Sequence, residues 1–153
     1  MKKIFTIAIF ALSINAFAQN SNKTQIATKN LTIIGTIKNF DKFVSVVAPG
    51  ISYFQLVPIS ADGSFKVTTD DKGRVTYTSD LPKLSVPKKA TFSFNIPNVA
   101  PGKYFIAAQK LNSGMGKTHC LITNKGEIFI INLSADSQTP HTINAGEMSV
   151  QIK

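Results

Sequence analysis

Residues 90–108, ATFSFNIPNVAPGKYFIAA, constrain the fold more than any other part of the chain. Phe92, Phe94 and Ile96 alternate with Thr91, Ser93 and Asn95, and beyond a Pro-Gly pair Tyr104, Ile106 and Ala108 resume the same period. A period of two places alternate side chains on opposite faces of a strand, so two half-buried strands are expected here. Pro101 pre-sets φ near about −65° and Gly102 tolerates φ > 0, which suits the central positions of a type II turn and predicts that the two strands form a hairpin.

Chain breakers recur at short intervals on both sides of this stretch. Strands are expected at 31–38 (LTIIGTIK), with Gly35 marking a bulge or a close backbone approach, and at 43–47 and 51–57, separated by Ala48-Pro49-Gly50. Turns at 60–63 and 70–73 lead into strands at 64–69 and 74–78, where Phe65, Val67, Val75 and Tyr77 alternate with polar neighbours. Residues 79–89 (SDLPKLSVPKK) carry two prolines and are expected to connect two sheets. After a glycine-rich loop at 111–117, strands are expected at 118–123, 127–133 and 147–152, with Asn124-Lys125-Gly126 as a tight turn and 134–142 as a polar connection. Many short strands at intervals of roughly 8–12 residues, without helical periodicity, indicate an all-β fold: a single immunoglobulin-like or transthyretin-like antiparallel β-sandwich of about 7–10 strands.

The first 18 residues stand apart from this pattern. Lys2 and Lys3 precede an apolar run over 4–16, and Ala16-Phe17-Ala18 presents small residues at the −3 and −1 positions of a cleavage site. The run is shorter than the roughly 20 apolar residues of a bilayer-spanning helix. Residues 1–18 are therefore expected to be a secretory signal peptide cut between Ala18 and Gln19, which places the mature chain in a periplasm or outside the cell. Residues 19–30 are polar and aperiodic, the expected flexible lead-in to a domain over 31–153. Removing 1–18 deletes two of the 17 basic residues and none of the eight acidic ones, so the net charge falls from +9 to +7. About 135 residues remain, enough for one core. Cys120 is the only cysteine, so that core has no internal disulfide.

Three motifs invite comparison with a known family. Ile34-Gly35-Thr36-Ile37 fits an apolar-Gly-x-apolar opening strand, and residues 69–75 (TDDKGRV) fit a T-D-x-x-G-x-apolar hairpin. Phe94, Ile96, Val99, Pro101, Gly102, Tyr104, Ile106 and Ala108 follow F-x-I-x-N-V-x-P-G-x-Y-x-apolar-x-A, with Asn98 one residue late because Pro97 is inserted. Over residues 31–111 the chain thus resembles the carboxypeptidase regulatory-like domain. It departs from that pattern in the long 79–89 connection and in the extra segment after Leu111. The resemblance implies a non-catalytic module of the kind appended to hydrolases or surface proteins, and fold by itself does not set function.

Chemistry-bearing patterns are sparse. Gly114-Met115-Gly116-Lys117-Thr118 ends like a phosphate-binding loop, but Leu111 stands where that motif needs glycine, and a strand rather than a helix is expected to follow. His119 and Cys120 point to opposite faces if 118–123 is a strand, so Cys120 is expected to be a small buried hydrophobe grouped with Ile122. His119 and His141 have no second ligand at metal spacing. Asp70 and Asp71, with Asp62 or Asp80, lack the dense acidic alternation of strong calcium loops and fit turn-capping better. The acidic residues fall mainly at turns and strand starts, and no cofactor or metal is expected. The hydrolase on the transthyretin-like fold uses histidines, an arginine and a C-terminal Tyr-Arg-Gly-Ser; this chain has Arg74 alone and ends Val150-Gln151-Ile152-Lys153.

Lys83, Lys88, Lys89, Lys103 and Lys110 flank the central stretch, and Lys88, Lys89, Lys103 and Lys110 are the candidate basic interaction patch. Such a patch attracts anionic partners. Nucleic acid is not expected, because no basic run is interleaved with aromatics. The expected function is a secreted, non-catalytic module that binds a protein or an anionic cell-envelope polymer through loops or an exposed strand edge. The alternatives are a small secreted hydrolase whose carboxylates converge in the fold, and a carbohydrate-binding module stacking sugar on Tyr53, Tyr77 or Phe105.

Overall fold

Strands dominate the protein. The computed structural model describes residues 27–69, 71, 73, 75–110, 119–135 and 141–152. Ten strands follow in order: β1 (Lys29–Ile37), β2 (Ile51–Ile59), β3 (Val67–Thr69), β4 (Val75–Tyr77), β5 (Lys83–Leu84), β6 (Thr91–Val99), β7 (Gly102–Lys110), β8 (His119–Thr123), β9 (Ile130–Leu133) and β10 (His141–Ile152). The fold is all-β.

One continuous hydrogen-bonded path, β5-β2-β7-β8-β10-β1-β6, carries most of them, with β9 added to β7 beside β8. The path folds over on itself into a sandwich. Phe54, Leu56, Ile106 and Ala108 from β2 and β7 share one core with Leu31, Ile33, Phe94, Ile96 and Val99 from β1 and β6. The rings of Phe54 and Phe94 meet across it, 5.8 Å between centroids. β10 joins the two layers at the closed side: its residues from His141 to Met148 pair in parallel with β1, and those from Met148 to Ile152 pair antiparallel with β8. A bulge opposite Ile34 and Gly35, with Gly146 at φ 70°, lets this strand bend between layers. The β1–β10 pair makes the sheet mixed rather than purely antiparallel.

β6 and β7 are both present, but they do not form the expected hairpin. β6 pairs with β1, whereas β7 pairs with β2, β8 and β9. Gly102 has the extended φ of 159° instead of the value near +80° that a type II turn needs, and the left-handed residue is Asn98, φ 57°. The chain therefore turns a corner from one layer to the other. Tyr104 holds the corner by donating its hydroxyl to the Ala100 carbonyl, 2.7 Å away, the arrangement called a tyrosine corner in immunoglobulin-like sandwiches.

The other side of the β2–β7 layer is also covered. Val57, Phe105, Ala107, Cys120 and Ile122 form a second buried cluster under the β3–β4 hairpin, closed by Tyr77. Phe65 stands edge-on to Tyr77 and Phe105, at 5.2 and 5.4 Å. Gln55 donates its side-chain N–H groups to the carbonyls of Ser79 (3.0 Å) and Leu81 (2.9 Å), and Gln109 donates to Tyr77 (3.1 Å), so both buried amides pin this covering segment.

Further boundaries differ from the sequence expectation, and the strands expected at 64–69 and 127–133 are confined to Val67–Thr69 and Ile130–Leu133. Residues 43–47 are a wide helical turn, Phe43–Val47, between Phe40–Lys42 and Ala48–Gly50, because Asn39 turns left-handed at φ 50° and Phe43 then reaches the core. β1 begins at Lys29, whose buried side chain donates to the carbonyls of Ser134 and Ala135 at 2.9 and 2.7 Å. β10 begins at His141 within the stretch taken as a connection.

Candidate functional site

β5 and β6 end the strand path, so folding the path over brings its two free edges to the same side of the sandwich. The 79–89 segment is what carries the chain across that side. Gln55 anchors it at Ser79 and Leu81, Ser79 Oγ donates to the Leu56 carbonyl at 2.6 Å, and Leu84 pairs opposite Phe54 at the edge of β2. The chain next runs through Pro87, Lys88 and Lys89 to Ala90, whose carbonyl accepts the Ile37 N–H at 2.7 Å, and enters β6.

Between this segment and β6 lies an open cleft of about 550 Å³. Consecutive β6 residues from both faces, Thr91 through Asn95, line it. Side chains of a strand alternate between faces, so a cleft touched by both sets runs along the strand's edge, where backbone N–H and C=O groups point. Among the described residues β6 pairs on its other edge only, with β1. Pro97 sits exposed on this strand, as prolines in sheets do at edges.

The chemistry of the cleft is cationic and apolar. Lys83, Lys88 and Lys89 line it, Leu84, Phe92 and Phe94 form its greasy wall, and among the described residues no carboxylate, histidine or cysteine lines it. Lys83 lies over the Tyr53 ring with its ammonium 4.5 Å from the centroid, which holds the charge at the β5 end.

The candidate patch is divided by the fold. Lys88 and Lys89 precede the start of β6, and Lys103 follows its far end, so roughly 25–30 Å of strand separates them. Lys103 lies opposite Ile59 and Asn132 at the other pole of the sandwich. Lys110 closes β7 opposite Ile51, at the pole where β6 starts. Lys83 therefore joins Lys88 and Lys89 in place of Lys103.

Other candidates take bland positions. Asp62 accepts the Ser64 N–H (2.9 Å) and hydroxyl (2.6 Å), and these bonds hold its carboxyl below the ordinary carboxylate range; it caps its own turn. Among the described residues no three metal-binding side chains cluster. Glu147 pairs with Lys38 at 3.6 Å on the surface. Cys120 is buried and groups with Ile122, away from Leu121 in the main core. Tyr77 and Phe105 are buried against each other, 5.0 Å apart, and the Lys83 ammonium lies over one face of the half-buried Tyr53 ring. Residues 1–18, expected as a signal peptide, residues 111–117, expected as a loop, Asp70 and Asp136 lie outside the described residues.

Comparison with known protein families, characterised proteins and solved structures finds no match for this chain. Among the described residues, no helix is long and apolar enough to cross a membrane.

Proposed function

We propose that the chain is a secreted, non-catalytic β-sandwich module, released to a periplasm or the cell exterior by cleavage after Ala18. Its binding site is the cleft along β6, and its partner is a protein or an anionic envelope polymer. The observation that carries this reading is the open β6 edge flanked by Lys83, Lys88 and Lys89. An edge strand offers donors and acceptors at the repeat of another polypeptide, which favours an extended acidic segment of a partner protein laid down as an added strand. Lysines meet its carboxylates, and Phe92 and Leu84 meet its apolar side chains. The resemblance to carboxypeptidase regulatory-like domains supports a binding role without naming the partner.

Amide hydrogen exchange tests the proposal, using an alternating Glu-Thr peptide and a polyuronate of equal charge. The peptide is expected to slow exchange in β6, and Lys88→Glu/Lys89→Glu is expected to abolish the effect. Slowing by the polyuronate alone would transfer the role to an envelope polymer. No change in β6 with either probe would refute the site.

A further inference from the structure

The pole where β6 starts carries a second surface. The helical turn Phe43–Val47 stands at this end, between β1 and β2. Phe43 is buried beneath it, but Val44 and Val46 point away, 46% and 67% exposed, and Val46 is the most exposed of the large hydrophobic side chains described. Exposed lysines lie at the same pole: Lys38 and Lys42 on the same connection, beside the exposed Asp41, and Lys88 and Lys89 just ahead of Ala90, whose carbonyl bonds to Ile37. A hollow of about 180 Å³ opens beside the turn, with Lys38, Lys42, Asn39, Ser149 and Gln151 contributing polar groups above Phe43. Among the described residues Lys38 pairs with Glu147, in a half-exposed surface pair of the weak kind, which leaves its ammonium open to solvent.

We infer that this pole docks onto an anionic lipid surface, with Val44 and Val46 entering the headgroup layer and the hollow at Lys38 and Lys42 receiving a headgroup phosphate. Apolar side chains protruding from a convex turn offer no groove to a peptide, whereas they suit a deformable interface. The lysines at this pole supply the second signal that shallow insertion needs, since few methyl groups alone give only marginal binding. Each lysine near an anionic bilayer contributes about fivefold in affinity, and the contribution decays with salt over a Debye length. The surface meets the cleft along β6 at Lys88 and Lys89, while Val44, Val46, Lys38 and Lys42 lie outside that cleft.

Sedimentation of the mature protein with vesicles decides the matter. Phosphatidylglycerol vesicles are expected to bind it and phosphatidylcholine vesicles not to. Lys42→Glu is expected to weaken binding at least fivefold, and Val44→Ser/Val46→Ser about tenfold, at unchanged fold because all three positions are exposed. Inorganic phosphate at millimolar concentration should not displace the protein. Absence of binding to phosphatidylglycerol, wild-type affinity in the double valine variant, or displacement by free phosphate would each overturn the inference. Lys42→Glu and Val44→Ser/Val46→Ser leave the residues of the cleft untouched and are expected to keep the peptide effect on β6, so the two proposals fail separately.

Discussion

Gly35 sits where a neighbouring strand leaves no room for a side chain. A Cβ built there would lie 2.7 Å from the Phe92 ring and 2.9 Å from the Gly146 carbonyl oxygen. The ring of Phe92 covers the position that a side chain would take, so Gly35→Ala is expected to cost about 1–3 kcal/mol, read as a lower urea midpoint. An unchanged midpoint would mean that Phe92 swings aside freely. Tyr104 gives a pH-dependent counterpart. Burial raises its phenol above the ordinary value of 10.0. A raised folded-state value means that its stabilisation is complete below about pH 10 and is lost as pH rises past that of the unfolded chain. Tyr104→Phe should cost about 1–2 kcal/mol at neutral pH by orphaning the Ala100 carbonyl, and the difference from wild type should shrink above pH 10. A constant difference from pH 8 to 11 would contradict this. At this scale the sequence was informative: a glycine inside an apolar alternation marked the close approach, and Cys120 lay on the face its parity assigned.

The β3–β4 hairpin is thinly covered, with all three residues of β3 exposed. Phe65 is 44% exposed yet bridges Tyr77 and Phe105, which lie over the cluster holding Cys120. Thiol labelling of the native protein is expected to be slow, and Phe65→Ala should speed it several-fold by loosening the hairpin while the main core stays closed. Fast labelling of wild type would contradict the burial of Cys120. Strand positions were legible from alternation, but strand partners were not. The Pro101-Gly102 pair fits a hairpin locally, and only the left-handed Asn98 and the corner bond of Tyr104 send β7 to the other layer. The FVSVV run reads as a strand because β-branched residues favour one. Burial of Phe43 beside Phe40, 5.9 Å between rings, overrides that preference. In the first half of β10, Ile143 and Ala145 do alternate with Thr142 and Asn144, a signal muted by how polar the outward set is.

At the scale of the whole molecule, a continuous sheet folded over leaves one closed side, at β10, and one open side, between β5 and β6. The lysines are distributed accordingly. Lys83, Lys88 and Lys89 belong to the open side, and Lys103 to the far pole. Sequence proximity to the central stretch singled out Lys88 and Lys89 together with Lys103, although the nine-residue strand β6 between them puts Lys103 at the far pole whether the chain then makes a hairpin or a corner. The cleft itself was hidden, since it exists only when the two free edges meet. The central claim is that this open side, and not dispersed positive charge, engages the partner. The direct test is capture from envelope extract at low salt by the mature wild type, Lys88→Glu/Lys89→Glu and Lys103→Glu. The double variant is expected to lose the partners that wild type and Lys103→Glu both retain. Equal loss in all charge variants, or full retention by the double variant, would contradict it.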